Sequence, residues 1–357
     1  MHRWDSFRFI AAALRYGFLG GEPPAIPARA DWSAILEASR HHHVIAPLAW
    51  ALRRDQRVPE PWAGELRAAL AANAIRNESL AAALVRIVDR LHEHGIEPIL
   101  LKGAANLVAA LYPVPAARYL TDLDLLIPGP QVHEAQRRLL AEGFEAPRHL
   151  AFVDVEQQHL PRLLDPRSGA AVELHRAVMF PEGRVIPAAE FAARVRIVSF
   201  RGRAFQVPDP TIRLAHNVAH AQIGHDLHRE GYAELRQLLD LALLRAHHED
   251  SLEWQEIEAW FRSVGRETVL ADNLKLAELL LGQPVPPLAT PPDPGVLRLL
   301  QKNVERPGRR RGARLARIVL RYLAMIRARP AALLNLFAPG LWPHRFRLVR
   351  NAMRPRW

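Results

Sequence analysis

Two aspartates one residue apart, Asp122 and Asp124, lie in the apolar stretch RYLTDLDLLI, residues 118–127. The stretch predicts a β-strand, in which residues two apart face the same side of the sheet. Two like charges side by side on one sheet face repel each other, so we expect a compensating partner. A divalent cation held by both carboxylates is the simplest one, and two solvated carboxylates at a strand end are the alternative.

A glycine turn precedes the aspartates in the chain. IEPILLKG, residues 96–103, predicts a buried strand that ends in a tight turn, and AANLVAALY, residues 104–112, predicts a short helix. The first turn of a helix presents free amide groups and the positive end of its dipole to an anion. A phosphate-binding turn beside a carboxylate pair is the arrangement that phosphoryl or nucleotidyl transfer requires.

Lys102 at this turn is informative, because only three of the 48 basic residues are lysines. A lysine in so arginine-rich a chain indicates a position where a planar guanidinium would not serve. We expect Lys102 to contact a phosphate, as lysine commonly does, or to pair with an acid of the site. Arg118, four residues before Asp122, is expected to meet a phosphate or to fix its loop by pairing with a carboxylate.

A third acid, Glu173, lies in AAVELHR, residues 170–176, which predicts a buried strand. An unpaired charge would be costly there, so we expect Glu173 to be a third metal ligand or the base that takes a proton from an acceptor hydroxyl. A salt bridge to Arg118 or Arg176 is the alternative. His175 shares the strand face of Glu173 and is expected to donate a hydrogen bond to a metal-binding carboxylate or to be structural.

Four segments together resemble the DNA-polymerase-β-type nucleotidyltransferase superfamily, whose pattern is a glycine motif, then Asp-x-Asp on a strand, then an acid on a later strand. They are LLKG, YPVPAAR, TDLDLLI and VELHR. The chain resembles more closely a group of uncharacterised nucleotidyltransferase-like proteins from bacterial gene clusters for envelope polysaccharides and ribosomal peptides. This resemblance covers roughly residues 40–250 and includes HNVAHAQ and LRQLLDLALL, which are similar to that group's helical His and Leu-Asp segment.

The resemblance implies an α+β fold, with a polymerase-β-type mixed sheet core between N- and C-terminal helical parts. It implies transfer of a nucleotidyl group from a nucleoside triphosphate, expected to be ATP, to an unidentified peptide, saccharide or protein acceptor. Mg²⁺ or Mn²⁺ is the implied cofactor, since hard cations prefer oxygen ligands. The implied catalytic and metal-binding residues are Asp122, Asp124 and Glu173. The implied nucleotide-binding residues are Lys102, Gly103 and Arg118.

The chain departs from the superfamily pattern at the phosphate turn. Lys102-Gly103 stands where the superfamily usually has Gly-Ser or Gly-Gly, and eighteen residues separate Gly103 from Asp122, more than is usual. Lys102 is the expected substitute for the missing serine. The alternative function is therefore a catalytically inactive protein that keeps the nucleotidyltransferase fold and acts by binding or as a scaffold.

His216 and His220 are four residues apart on a predicted helix and therefore share a face. Together with His225 and His228 they could form a zinc site, but the HExxH motif does not occur in the sequence. We therefore prefer the interpretation that these histidines pack in the core or contact a substrate. A separate expectation concerns Asp240 in the apolar segment LLDLALL. We expect it to pair with Arg236, one helical turn earlier.

Periodicity and turn signals divide the chain into five segments. Strand and helix patterns alternate in the middle and give way to hairpins, which predicts a mixed sheet flanked by helices. The segments are a helical region, 1–95; the nucleotidyltransferase α/β core, 96–207; a helical domain, 208–283; a proline-rich connector, 284–296; and a basic helical segment, 297–357.

The positive charge is concentrated at the end of the chain. Residues 302–357 hold fifteen Lys or Arg and one acid, a net charge of +14, and since the whole chain carries +11, residues 1–301 carry −3. Such a segment predicts weak contact with an anionic membrane or with nucleic acid, and docking on the protein's own core is the alternative.

The composition excludes some kinds of chemistry and of membrane association. The chain has no cysteine, which excludes disulfides and thiolate chemistry. It has no apolar run of about eighteen residues, so we expect no membrane span. A cytoplasmic location is the expectation, with peripheral membrane contact through the basic segment as a variant of it.

Overall fold

The computed structural model describes residues 3–26, 30–127, 129–146, 159–179 and 185–306. Within these ranges the first helices are α1 (Arg3–Leu19), α2 (Trp32–His41), α3 (Ile45–Leu52), α4 (Trp62–His92), α5 (Lys102–Val108), α6 (Val132–Ala141) and α7 (Ala188–Ala193). The later helices are α8 (Pro210–Val218), α9 (Leu227–Glu230), α10 (Leu235–His248), α11 (Trp254–Ser263), α12 (Glu267–Leu281) and α13 (Val296–Glu305). A π-helical segment, Ala219–Gly224, follows α8 directly.

The strands form one mixed sheet in the order β3-β4-β2-β1-β6-β5. They are β1 (Ile99–Leu101), β2 (Leu123–Leu126), β3 (Leu163–Leu164), β4 (Ala171–His175), β5 (Val195–Phe200) and β6 (Arg203–Pro208). β2 runs parallel to β4 and β1 parallel to β6, whereas the other neighbouring pairs are antiparallel. A mixed sheet with helices before and after it confirms the expected α+β class.

The register of the central strands fixes which residues meet. Asp124 on β2 lies opposite Leu101 of β1 on one side and opposite Glu173 of β4 on the other. Residues paired across neighbouring strands project to the same face of the sheet. The fold therefore places Glu173 beside Asp124, although 48 residues of sequence lie between them.

Two apolar cores enclose the sheet, one on each face. Leu123 and Leu125 point into a core that they share with Leu84 of α4 and Leu139 of α6. Leu126 points to the opposite face, into the core where α1, α3, α10 and α12 pack together. Asp124 alternates with Leu123 and Leu125, so it lies on the face toward the second, helical core.

Strand β2 is shorter than the sequence predicts, because a side chain of α4 binds backbone carbonyls of the loop that precedes the strand. Asn77 Nδ2 of α4 donates to the carbonyl of Pro115 at 2.6 Å and to that of Arg118 at 2.7 Å. Carbonyls bound by a helix side chain are already satisfied without a neighbouring strand. β2 therefore begins only after Asp122, which precedes the strand instead of lying inside it.

Parts of the predicted organisation lie outside the described residues. Residues 147–158 of the predicted α/β core fall there, as does the basic segment from residue 307 onward. The beginning of that last segment is described as α13, whose Leu300 and Val304 are buried in the helical core. Contact of the remainder with a membrane or nucleic acid stays a prediction, as do the segment boundaries.

Across the described ranges, no helix combines the length and the apolar character that crossing a membrane requires.

Candidate functional site

Asp124 is buried at the centre of the sheet, with 1 % of its surface exposed. Its Oδ1 accepts hydrogen bonds from Lys102 Nζ at 2.7 Å and from His175 Nε2 at 2.8 Å. Burial alone would raise the pKa of Asp124, but the Lys102 ammonium and the His175 hydrogen bond hold that pKa well below its usual range. Asp124 is therefore an ionised carboxylate inside the protein.

Lys102 sits at the junction of β1 and α5 in an uncommon backbone conformation. Its φ is +47°, in the left-handed region that residues other than glycine rarely adopt. Burial opposes a charge on Lys102, but the neighbouring Asp124 outweighs burial and raises the pKa of the ammonium. Pairing of Lys102 with an acid of the site, one of our two expectations, is confirmed. Contact with a phosphate stays a prediction.

Three side chains converge beside this ion pair. Asp124, Glu173 and His175 each offer one ligand atom, and these atoms lie within 4.8 Å of one another. Burial lowers the pKa of His175 by more than Asp124 raises it, so the imidazole is neutral at pH 7. Two carboxylates and a neutral imidazole form a donor set that fits a divalent metal ion.

Asp122 lies apart from this group of three. It precedes β2, is partly exposed, and its Oδ1 accepts a hydrogen bond from Thr121 Oγ1 at 2.7 Å. Asp122 and Asp124 line the same cavity. The expected role of Asp122 as a metal ligand stays a prediction.

Arg118 is bound to a carboxylate of the helical part. Its Nε and Nη2 donate to the two oxygens of Asp240 at 3.0 and 2.6 Å, and Tyr112 Oη donates to Asp240 Oδ1 at 2.7 Å. The expectation that Arg118 fixes its loop by pairing with a carboxylate is confirmed. The expected pairing of Asp240 with Arg236 is wrong, because Asp240 points from α10 toward Arg118, while Arg236 lies 3.8 Å from Glu234.

Gly103 lets the Arg118 guanidinium lie against the start of α5. A Cβ atom at Gly103 would stand 2.7 Å from Arg118 Nη1 and 2.7 Å from Leu120 Cδ2. Real Cβ atoms essentially never approach other atoms so closely, so a side chain here would displace the guanidinium. Packing against Arg118 therefore accounts for this glycine, and its contact with a phosphate stays a prediction.

A cavity of about 220 Å³ connects the sheet to the helical part. On the sheet side it is lined by Lys102, Asp122 and Asp124. On the helical side its wall comes from α8, α10 and the π-helical segment. Residues of this wall include Arg213, His216, His220, His225, Arg236 and Gln237. The helical part therefore completes a site that the sheet begins, and π-helical turns occur frequently at such places.

The histidines of the helical part lie in different environments. Burial lowers the pKa of His216 to about 3. His220 Nε2 and His225 Nε2 lie 3.0 Å apart, and His228 Nε2 pairs with Asp272 at 2.8 Å. Among the described residues, the group of converging metal-ligand atoms contains none of these histidines. The geometry therefore favours packing or substrate contact for His216 and His220 over a zinc site.

Two residues belong to the site although the sequence analysis did not place them there. Tyr112 donates a hydrogen bond to Asp240, which follows it by 128 positions, so no local sequence pattern predicts the contact. Arg213 is a charged and buried residue of helix α8, PTIRLAHNV, in which every residue except Asn217 is buried. A charge on a buried helix is the signal that could have identified Arg213.

The family comparison covers most of the fold just described. Residues 28–282 match the family described as "Uncharacterised nucleotidyltransferase", and the chain belongs to that family. The match includes the sheet, the cavity and the helices from α2 to α12. The protein is thus a member of a nucleotidyltransferase family.

One solved structure similar to this chain is the crystal structure of an antigenic nucleotidyltransferase-like protein from Paracoccidioides brasiliensis. The sequence identity is 15 % and the TM-score 0.34, over 57 % of this chain and 93 % of that chain. A search of the curated proteins found no match.

Proposed function

We propose that this protein is a metal-dependent nucleotidyltransferase that moves a nucleotidyl group from a nucleoside triphosphate to an acceptor. The observation that carries the proposal is the convergence of Asp124, Glu173 and His175 beside Lys102, next to a cavity large enough for part of a nucleotide. Membership in a nucleotidyltransferase family supports the same class of reaction.

In the proposed reaction an acceptor oxygen forms a bond to the α-phosphorus of the nucleotide. The bond from that phosphorus to the oxygen shared with the β-phosphorus breaks, and pyrophosphate leaves with the electron pair. The proton of the acceptor passes to a base, for which Glu173 is the candidate because its carboxylate is partly exposed and lies 3.8 Å from His175 Nε2. Mg²⁺ or Mn²⁺ would be held by Asp122, Asp124 and Glu173 and would neutralise triphosphate charge.

The phosphates would be held by Lys102 and Arg118. The carboxylates of Asp124, Glu173 and Asp122 all stabilise the Lys102 ammonium, and we expect this ammonium to contact a phosphate oxygen when a nucleotide binds. Arg118 uses Nε and Nη2 for Asp240, and its Nη1 lies against Gly103. Nη1 is therefore the atom that we expect to meet a phosphate at this turn. These residues contribute positioning and charge neutralisation.

We infer ATP as the triphosphate and a peptide, saccharide or protein as the acceptor, following the resemblance of the sequence. A direct test incubates the protein with Mg²⁺, ATP labelled at the α-phosphorus and a cell extract as a source of acceptors. The expected result is pyrophosphate together with a labelled product that carries one nucleotidyl group, and loss of both with Glu173→Gln. Equal labelling by the wild type and Glu173→Gln would remove Glu173 from the reaction.

A second candidate is a protein with the same fold that binds a nucleotide without turning it over. The observation that favours it is the enclosed ion pair in which Lys102 and His175 already satisfy Asp124 Oδ1. Calorimetry separates the two candidates. Nucleotide binding in the presence of Mg²⁺, without pyrophosphate release in any extract, supports the binding protein.

A further inference from the structure

Arg213 of α8 is a buried cation without a carboxylate of its own. Its exposed fraction is 8 %, and its Nη2 donates to Asn106 Oδ1 at 2.8 Å. Its Nε has no hydrogen-bond partner, and among the described residues no carboxylate oxygen lies within 4.0 Å of the guanidinium. Burial lowers the pKa of Arg213 to about 10, which shows how poorly the charge is compensated. Burying an uncompensated cation costs free energy, and an anion bound beside Arg213 would offset that cost.

Arg236 of α10 repeats the pattern on the same wall of the cavity. Its Nε is buried and has no hydrogen-bond partner, and Glu234 lies 3.8 Å away, beyond hydrogen-bond distance. Both arginines line the cavity that also contains Asp122 and Asp124. Two guanidinium groups, that of the buried Arg213 and that of the partly exposed Arg236, therefore line one cavity.

Asp240, which also lines the cavity, is already bound to other residues. Both oxygens of Asp240 accept hydrogen bonds from Arg118, and Oδ1 also accepts one from Tyr112. His216, which lies on α8 between the two arginines in sequence, is neutral because burial lowers its pKa to about 3. The helical wall of the cavity therefore keeps positive charge from Arg213 and from Arg236, of which Arg236 lies 3.8 Å from Glu234.

We propose that Arg213 and Arg236 form a subsite for an anionic oxygen group, a phosphate or a carboxylate, of a molecule bound in the cavity. Guanidinium groups bind both of these anions through paired N–H donors. The group has two possible sources: the phosphates of the nucleotide, or an anionic group on the acceptor. The inference deepens the proposed function by naming a chemical feature of a substrate, and it concerns binding alone, independent of turnover.

The test measures binding of inorganic phosphate to the full-length protein by calorimetry, without metal. Wild type is compared with Arg213→Gln and Arg236→Gln, and with Arg203→Gln as a control. Arg203 lies on β6, pairs with Asp89 at the surface, and does not line the cavity. We expect each cavity variant to weaken phosphate binding about tenfold or more, because a hydrogen-bonded charge is lost, and the control to leave it unchanged.

Folding is checked in the same experiment. Removing the uncompensated cation with Arg213→Gln should leave the melting temperature unchanged or raise it. Arg236→Gln, at a more exposed position, keeps the test valid should the first variant fold poorly. Phosphate affinity equal in the wild type and both cavity variants, or the absence of phosphate binding by the wild type, overturns the subsite.

Repeating the titration with saturating Mg²⁺ and ATP identifies the source of the anion. Unchanged phosphate affinity with nucleotide bound assigns the subsite to an anionic acceptor. Competition, together with weaker ATP binding by both cavity variants, assigns it to the nucleotide phosphates. A protein that binds phosphate at these arginines but releases no pyrophosphate from ATP would keep the subsite and reject the proposed transfer.

Discussion

Arg118 and Asp240 form a bidentate ion pair that connects the loop before β2 to helix α10. Both partners are buried, with 7 % and 1 % of their surfaces exposed. Because the guanidinium also lies against Gly103, the pair fixes the position of α10 relative to the turn that carries Lys102. The shape of the cavity therefore depends on a contact between residues that are 122 positions apart.

The first prediction concerns this ion pair. Asp240→Asn leaves the Arg118 charge buried without its counterion, and breaking such a pair costs about 3–5 kcal/mol. We expect a correspondingly large fall in the free energy of unfolding, measured by urea denaturation. The matched control is Asp89→Asn, which breaks the exposed pair with Arg203 and should cost at most about 1 kcal/mol. Equal effects of the two substitutions would contradict the structural role of Asp240.

A second prediction concerns Gly103. Gly103→Ala places a methyl group 2.7 Å from Arg118 Nη1 and Leu120 Cδ2, and such overpacking costs about 1–3 kcal/mol. Gly224→Ala serves as the control, since its Cβ would have no neighbour closer than 3.9 Å. Thermal unfolding of the two variants should show a clear loss for Gly103→Ala and little change for Gly224→Ala. A neutral Gly103→Ala would mean that the guanidinium is free to move away.

The third prediction separates the two roles of Lys102. Lys102→Met removes the ammonium from Asp124 Oδ1, so the carboxylate becomes more available to a cation while the proposed phosphate contact is lost. We expect Mn²⁺ affinity, measured by calorimetry, to stay the same or rise, and ATP affinity to fall about tenfold or more. Lys275→Met, which breaks a surface ion pair with Glu278, should change neither affinity. A parallel loss of Mn²⁺ and ATP binding would assign Lys102 a purely structural role.

The fourth prediction concerns pH. His216 is buried and its pKa is lowered to about 3, whereas the pKa of an unfolded histidine is about 6.5. Below about pH 6.5 the unfolded chain binds a proton at this position that the folded chain does not, so stability is lost as the pH falls toward 3. Between pH 6 and 4 this proton lowers the free energy of unfolding of the wild type by about 1.4 kcal/mol per pH unit. We expect His216→Gln to lack this part of the pH dependence. His133→Gln, an exposed position on α6, is the control, and identical pH profiles for wild type and His216→Gln would contradict the assignment.

The sequence predicts the sheet side of the site because local periodicity determines it. The alternation of Asp124 with Leu123 and Leu125, and of Glu173 with its apolar neighbours, is enough to predict two buried strands with acids on one face. The helical side of the site could not be predicted in the same way. Asp240 has an arginine one helical turn away, and only the packing of α10 against the loop at Arg118 shows that this nearer residue is the wrong partner.

The length of β2 also could not be predicted from local sequence patterns. Apolar residues around Asp122 predict a strand over residues 118–127, but Asn77 of α4 binds the loop carbonyls and the strand starts later. The competing hydrogen bonds come from a helix some 40 residues earlier in the chain, which a local pattern does not contain.

The most direct test of the central claim is the metal dependence of ATP binding, measured by calorimetry with and without Mg²⁺. If Asp124 belongs to a metal centre for the triphosphate, the wild type binds ATP much more tightly with Mg²⁺. Asp124→Asn and Glu173→Gln, each verified as folded by circular dichroism, lose that gain. Equal ATP affinity with and without the metal in the wild type, or a full Mg²⁺ effect retained in both variants, would contradict the account.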